Sequence, residues 1–280
     1  MLDRRTVIAG ALATAVPLAS GRAAGLPSHV DVVIVGAGAA GIGAARRVSA
    51  AGRSCVVLEA SDRVGGRCRA DTTTFGVPVD LGAHWLHAAA LTPFPALARD
   101  LGVALARVDP DETLWIGRRR AGDEELDAFS GGIEAFVQAI GEAGRRGIDV
   151  AAAEMMPRGL GAVADLVAFA VGPNDCGKDL DHVSTLDFAR SREGTDHLFA
   201  GGYGPFLARL ASGLPIVGGV AVTRIDRTGR RVGLDTTAGR LEADAVIVTA
   251  STDALARGAV RFDPPLPPDQ EDALSGVSLG

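Results

Sequence analysis

Three glycines stand at a fixed spacing in Gly36-Ala37-Gly38-Ala39-Ala40-Gly41, and one carboxylate, Glu59, follows at the end of the next apolar run. These residue types suit the capture of a dinucleotide diphosphate. Gly36 permits a tight turn, Gly38 has no side chain to hold a diphosphate away from the backbone, and Gly41 lets a helix lie close to a sheet. A helix starting at this point presents the free N–H groups of Ala39 and Ala40, and its positive dipole end, to the phosphates. Glu59 comes about twenty residues later, the distance at which a carboxylate meets a ribose, and it would repel a 2′-phosphate, which argues against NADP.

Chemistry of this kind needs a strand before the turn and a helix after it. Val30 to Val35 reads VDVVIV, a β-branched run suited to a buried parallel strand. Ile42 to Ala51 is alanine-rich, with Gly41, Ala44, Ala45 and Val48 on one helical face. Gly52-Arg53 closes that helix, and Ser54 to Leu58 returns as a second strand ending at Glu59. In a chain with 37 glycines, a glycine pattern alone says little. The strand, the helix and the spaced acid supply the context that the motif requires.

Glu59-Ala60-Ser61-Asp62-Arg63-Val64-Gly65-Gly66-Arg67 then sets two guanidinium groups around a double glycine, and a diphosphate favours a bidentate guanidinium. Further on comes Phe75-Gly76-Val77-Pro78-Val79-Asp80-Leu81-Gly82-Ala83-His84-Trp85-Leu86-His87. In these two stretches the chain resembles the FAD-dependent amine oxidases, a family that includes monoamine, polyamine and L-amino-acid oxidases. The resemblance implies non-covalently bound FAD, with Glu59 and Ala60 among the cofactor contacts. Arg63 is expected near the adenosine half and Arg67 near the pyrophosphate, with Gly65 and Gly66 keeping the backbone close. Gly82, Ala83, His84 and Trp85 would run beside the isoalloxazine ring. The backbone at Val222, in a Val-Thr-Arg-Ile stretch, would touch the adenine. A histidine at the place of His87 faces the substrate channel in polyamine-oxidase-like members. Read from the residues alone, His87 is equally a hydrogen-bonded histidine under a loop. The family pattern continues with glycine, and here the next residue is Ala88.

By the same resemblance, the fold is α/β: a Rossmann-like FAD-binding domain (three-layer ββα) with an inserted, mainly helical substrate domain. The expected parts are an export segment over 1–25, an FAD-binding part over 29–90, a helical segment over 91–197 and a return to the FAD domain over 198–280. The implied reaction moves a hydride from the carbon bearing an amine (a polyamine, monoamine or amino acid) to flavin N5, and passes the electrons to oxygen or another acceptor. Two other readings stand beside it. Family members continue past the equivalent of Gly280 with a lysine near flavin N5, a role that Lys178, the one lysine here, does not match. The chain would then be a truncated FAD-binding fragment without activity. The third reading is a related flavoenzyme of desaturase or porphyrinogen-oxidase type, against which the Gly-Ala-His-Trp-Leu-His stretch weighs.

The helical segment carries Leu126, Phe129, Ile133, Phe136, Val137 and Ile140 at helical spacing, and Leu160, Val163, Leu166, Val167 and Ala170 likewise. Both stripes read as core, and Asp123, Glu124, Glu125 and Glu154 as ordinary solvated positions. After Gly201-Gly202-Tyr203-Gly204, a helix is expected from Pro205 to Ser212. Strands at Ala221 to Ile225, Arg231 to Thr236 and Asp244 to Ala250 follow, the first two joined by a turn at Asp226-Arg227-Thr228-Gly229.

At the start of the chain, Arg4-Arg5 precedes an apolar run from Val7 to Ala19 and the small residues Ser20 to Ala24, the layout of a Tat-type export signal leading to the bacterial periplasm. The run is shorter than the roughly 20 residues of a membrane span and holds Pro17, so no stable membrane anchor is expected. With 280 residues, 47% hydrophobic and 22% charged, the chain can bury a large core, and a net charge of -6 gives no footprint for nucleic acid. Cys55, Cys68 and Cys176 form no CxxC pair, and His29, His182 and His197 show no metal spacing, so neither a disulfide nor a metal is expected.

Overall fold

The computed structural model describes residues 25–108, 113–191 and 194–277. The expected export segment, apart from Gly25, lies outside the described residues. Two compact units emerge: one runs to Val108 and resumes at Gly194, and the other lies between. The strands Leu105–Arg107 and His197–Phe199 therefore belong to the first unit, where they pair with each other.

The first unit is built on a seven-stranded sheet of β1 (His29–Val35), β2 (Cys55–Leu58), β3 (Ile216–Val217), β4 (Val222–Asp226), β5 (Val232–Thr236), β6 (Gly239–Val248) and β7 (Arg261–Asp263). Its order is β3-β2-β1-β6-β5-β4-β7. The first four strands in that order are parallel, β6-β5-β4 is an antiparallel meander, and β7 joins β4 in parallel. Alternation along the β-branched runs fills both faces. Val33, Val35, Val56 and Leu58 join Val222, Ile225, Leu234 and Leu241 in one apolar cluster. Ile34 and Val57 point the other way and pack with Ala37 and Ala45 under helix α1 (Ala39–Ala50). This burial on two faces is why β1 reads as a continuous apolar run.

Sequence expectations shift at α1 and at β6. Helix α1 starts at Ala39 rather than Ile42, and its fully buried residues are Gly41, Ile42 and Ala45, with Val48 only half-buried. Strand β6 begins at Gly239, five residues before the expected Asp244. It pairs with β5 over Gly239–Ala243 and with β1 from Glu242 onward, so one strand serves both halves of the sheet. Its first half alternates exposed Arg240 and Glu242 with buried Leu241 and Ala243, a polar pattern that in sequence merges with the hairpin turn.

The second unit contains helix α2 (Asp123–Arg145), whose Phe136 and Ile140 pack with Ala152, Val167, Val171 and Leu180. Asp123, Glu124 and Glu125 fill its first turn, where the helix dipole favours negative charge. Glu125 is not simply solvated: it accepts from Gly122 N at 2.9 Å and pairs with Arg119 at 2.7 Å. The second apolar stripe is broken into a 3₁₀ turn at Gly161–Val163, an α-helix at Ala164–Phe169 and a π-helical stretch at Ala170–Cys176 containing Pro173. Among the described residues, no helix is long and apolar enough to cross a membrane.

Candidate cofactor site and the adjoining ring row

The glycine turn joins β1 to α1. Gly36 adopts φ +102°, a conformation open to glycine, and its N–H donates to Leu58 O at 2.8 Å. A β-carbon on Gly41 would lie 1.9 Å from Gly36 O, so the helix can approach the turn only with glycine there. From the end of β6, Thr249 Oγ1 donates to Val35 O at 2.8 Å and lies 3.2 Å from Gly36 O, bracing the turn from below. Gly38 caps α1 without a side-chain hydrogen bond, and a β-carbon on it would have Gly66 Cα, 4.0 Å away, as its nearest neighbour. The first N–H bonded back along the helix is that of Ile42, to Gly38 O. The N–H groups of Ala39, Ala40 and Gly41 precede it and have no intrahelical acceptor. Open space over a glycine, next to uncapped N–H groups, fits a diphosphate.

Glu59 is tied into the same turn. Its Oε2 accepts from Ala37 N at 2.7 Å, and its Oε1 accepts from Ser61 N at 2.9 Å and from Ser61 Oγ at 2.8 Å. The carboxylate expected to meet a ribose thus also holds the backbone that would meet the phosphates, and Oε2, with one donor, retains acceptor capacity. Val220 N donates to Glu59 O and Gly219 N to Ser61 O, which brings the chain entering β4, with buried Val222, alongside Glu59 and exposed Ala60.

The arginine loop docks on the turn through Gly65 N, which donates to Ala37 O at 2.9 Å. The two arginines differ in surroundings. Arg63 donates to Gly66 O at 2.8 Å and closes its own loop, whereas the exposed side chain of Arg67 makes no hydrogen bond or ion pair among the described residues. The second motif runs antiparallel to this loop, with Ala70 opposite Asp80 and Ala83 N donating to Arg67 O at 3.2 Å. Both oxygens of Asp80 accept from Tyr203 N at 3.1 Å, which caps helix α3 (Tyr203–Leu210) and starts it two residues before the expected Pro205. Tyr203 is buried against Phe94, Phe199 and Phe206, and burial, assisted by the Cys68 thiol, pushes its phenol up to about 12.

Beyond Ala83 the chain forms the short strand Trp85–Leu86, paired with His197–Phe199. Leu86 is buried, while Trp85 and His87 stand exposed on the other side. His84 and Trp85 have ring centroids 5.5 Å apart, and Trp85 and His87 5.6 Å, so the three rings form a row. Asp196 holds the end of that row. Its Oδ2 is 3.0 Å from His87 Nδ1, and its Oδ1 accepts from Ala88 N at 3.1 Å. Ala88 has φ +44°, the one left-handed non-glycine residue among the described residues.

Asp196, Thr249 and Asp80 were not singled out in sequence as site residues. Asp196 and Thr249 join the motifs from more than a hundred residues away, so no local spacing marks them. Asp80 sits inside a motif but acts on a helix 123 residues later.

A parallel sheet with a glycine turn, an acid at the next strand end and an open helix start defines a dinucleotide-binding α/β protein. The family model described as flavin containing amine oxidoreductase matches residues 39–164 and 168–280, and the chain belongs to that family. FAD is the cofactor that this membership implies, and the glycine cradle fits its diphosphate. "Probable polyamine oxidase 4" of Arabidopsis thaliana is 29% identical over 89% of this chain and 56% of its own length. "Putative flavin-containing monoamine oxidase AofH" of Mycobacterium tuberculosis is 28% identical over 88% of this chain and 62% of its own. A solved triple mutant of putrescine oxidase shares the fold, with a TM-score of 0.70 at 22% identity, over 90% of this chain and 64% of that one. The chain spans somewhat more than half the length of the curated relatives it matches first.

Proposed function

We propose that this chain forms the FAD-binding part of an enzyme that oxidises an amine, with a polyamine or a monoamine as the first substrate classes to test. The observation that carries the reading is the continuity of the two motifs: the glycine turn, the Arg67 loop and the row His84–Trp85–His87 follow one another along a single hydrogen-bonded path. Bound FAD, held non-covalently, supplies the hydride acceptor.

The chain's own residues bind and orient. The N–H groups at the start of α1 take the diphosphate, Arg67 adds a guanidinium with no competing partner, and Glu59 receives the ribose while fixing the turn. Exposed His84, Trp85 and His87 offer one indole face and two imidazoles to an amine. Little acid–base machinery is needed beyond delivery of a neutral amine. The twin-arginine start supports export to the periplasm after cofactor uptake. Names of relatives that act on polyamines and monoamines support the substrate class.

The test is the visible spectrum of the purified chain, followed by anaerobic addition of putrescine, other polyamines, monoamines and amino acids. A yellow protein bleached by one amine class is the expected result. A colourless protein that FAD fails to reconstitute sinks the reading, and a yellow one that no amine bleaches limits it to FAD binding.

A further inference from the structure

We propose that Asp196 is a positioning residue that fixes the tautomer of His87 and turns it into a hydrogen-bond acceptor for an amine N–H. The inference rests on reading His87 as facing the substrate. An ionised carboxylate only accepts, so the 3.0 Å contact with Asp196 Oδ2 requires the hydrogen on Nδ1. A neutral ring then carries its lone pair on Nε2, on a side chain that is 65% exposed. The second oxygen of Asp196 accepts from Ala88 N and pins the left-handed turn immediately after His87, so one carboxylate sets both the ring's tautomer and the backbone that carries it. Asp196 is itself held, since its carbonyl accepts from Val108 N at 2.9 Å and its side chain is only a quarter exposed. Trp85 lies beside the ring at a tilt of 51°, with centroids 5.6 Å apart, and flanks it on one side. An ammonium or amine donor meeting Nε2 therefore finds an acceptor, where the other tautomer would present a donor and repel it.

Asp196→Asn separates this role from a merely structural one. The asparagine Oδ1 still accepts from Ala88 N, while its NH₂ group donates to Nδ1 and forces the ring hydrogen onto Nε2. Ring-nitrogen NMR of the full chain, with the His87 signals assigned by their loss in His87→Gln, is expected to show Nδ1–H in the parent and Nε2–H in the variant. In the FAD-loaded protein, the putrescine concentration giving half-bleaching should rise roughly tenfold or more, as for loss of a hydrogen bond to a charged group. If Asp196→Asn folds poorly, His87→Ala, which keeps the Asp196–Ala88 bond and offers no acceptor, should raise that concentration by the same factor. The same tautomer in both proteins overturns the inference. A switched tautomer with unchanged putrescine dependence in both variants overturns it differently, by removing His87 from the substrate. The NMR readout needs neither flavin nor amine, so failure of the amine oxidase reading leaves the tautomer question decidable.

Discussion

The carbonyl oxygen of Arg67 lies where a β-carbon of Gly82 would be, 2.0 Å from that position. Backbone faces backbone here, with no flexible side chain to yield, and Ala83 N is already bonded to the same oxygen. Whatever Gly82 allows toward a flavin, it is first the residue that lets the second motif lie against the first. Gly82→Ala is expected to destabilise the chain by about 1–3 kcal/mol, as overpacking does. A lower melting temperature of the cofactor-free protein checks it; an unchanged one would place the need for glycine in cofactor contact alone.

Helix α1 provides an internal comparison. A β-carbon on Gly41 would meet Gly36 O at 1.9 Å, whereas one on Gly43 would meet nothing within 4 Å. Gly43→Ala should stabilise by about 0.5–1 kcal/mol through helix propensity. Gly41→Ala should destabilise and weaken FAD retention, because the turn must open to admit the methyl group. Paired thermal melts and flavin-to-protein absorbance ratios separate the two, and equal effects would refute the packing argument.

Much of this was legible in sequence because the glycines, Glu59 and the β-branched strand lie within one local stretch whose period and spacing are set by backbone geometry. Family-level resemblance carried the second motif. Residues that complete the site through tertiary pairing were not legible, since Asp196 and Thr249 stand just outside the ends of distant strands and show nothing in their neighbours that marks them. Strand β6 was half-missed for a related reason: its alternating charged half is a strand only because β5 lies beside it.

Glu59 makes a prediction that does not depend on FAD. Its carboxylate is the acceptor for the N–H of Ala37, a fully buried residue. Glu59→Ala leaves that donor unpaired, which costs about 1–3 kcal/mol. Glu59→Gln keeps one acceptor oxygen and should fall between the parent and the alanine variant. Urea unfolding of the cofactor-free chain reads this directly. A wild-type midpoint for Glu59→Ala would mean that the acid serves the ribose only.

Acid sensitivity is expected at the start of α2. The Arg119 guanidinium, then the Gly122 N–H, hold the Glu125 carboxyl down at about 2, against an ordinary 4.5. A folded-state value below the unfolded one contributes stability that is present above about 4.5 and lost as pH falls toward 2. The difference in denaturation midpoint between the parent and Glu125→Gln should be largest at neutral pH, shrink across that window and vanish near its lower end. Because the pair is exposed, the difference should also diminish in high salt. A difference independent of pH would assign the effect to packing.

Ala88 carries the last prediction. Its φ of +44° places an L-residue where the β-carbon crowds the following carbonyl, at a cost of roughly 1–2 kcal/mol, and glycine escapes that cost. Opposing terms are small: glycine gains unfolded-chain entropy, worth about 0.4–1 kcal/mol, and the methyl group of a buried alanine is lost. Ala88→Gly is therefore expected to be neutral or modestly stabilising, the reverse of the usual result for a buried alanine. The Asp196 bond to the Ala88 N–H survives the change, so the His87 ring should keep its tautomer while the turn relaxes. Melting temperature and ring-nitrogen NMR together decide the matter. A clear loss of stability would show that the methyl group's packing outweighs the strain.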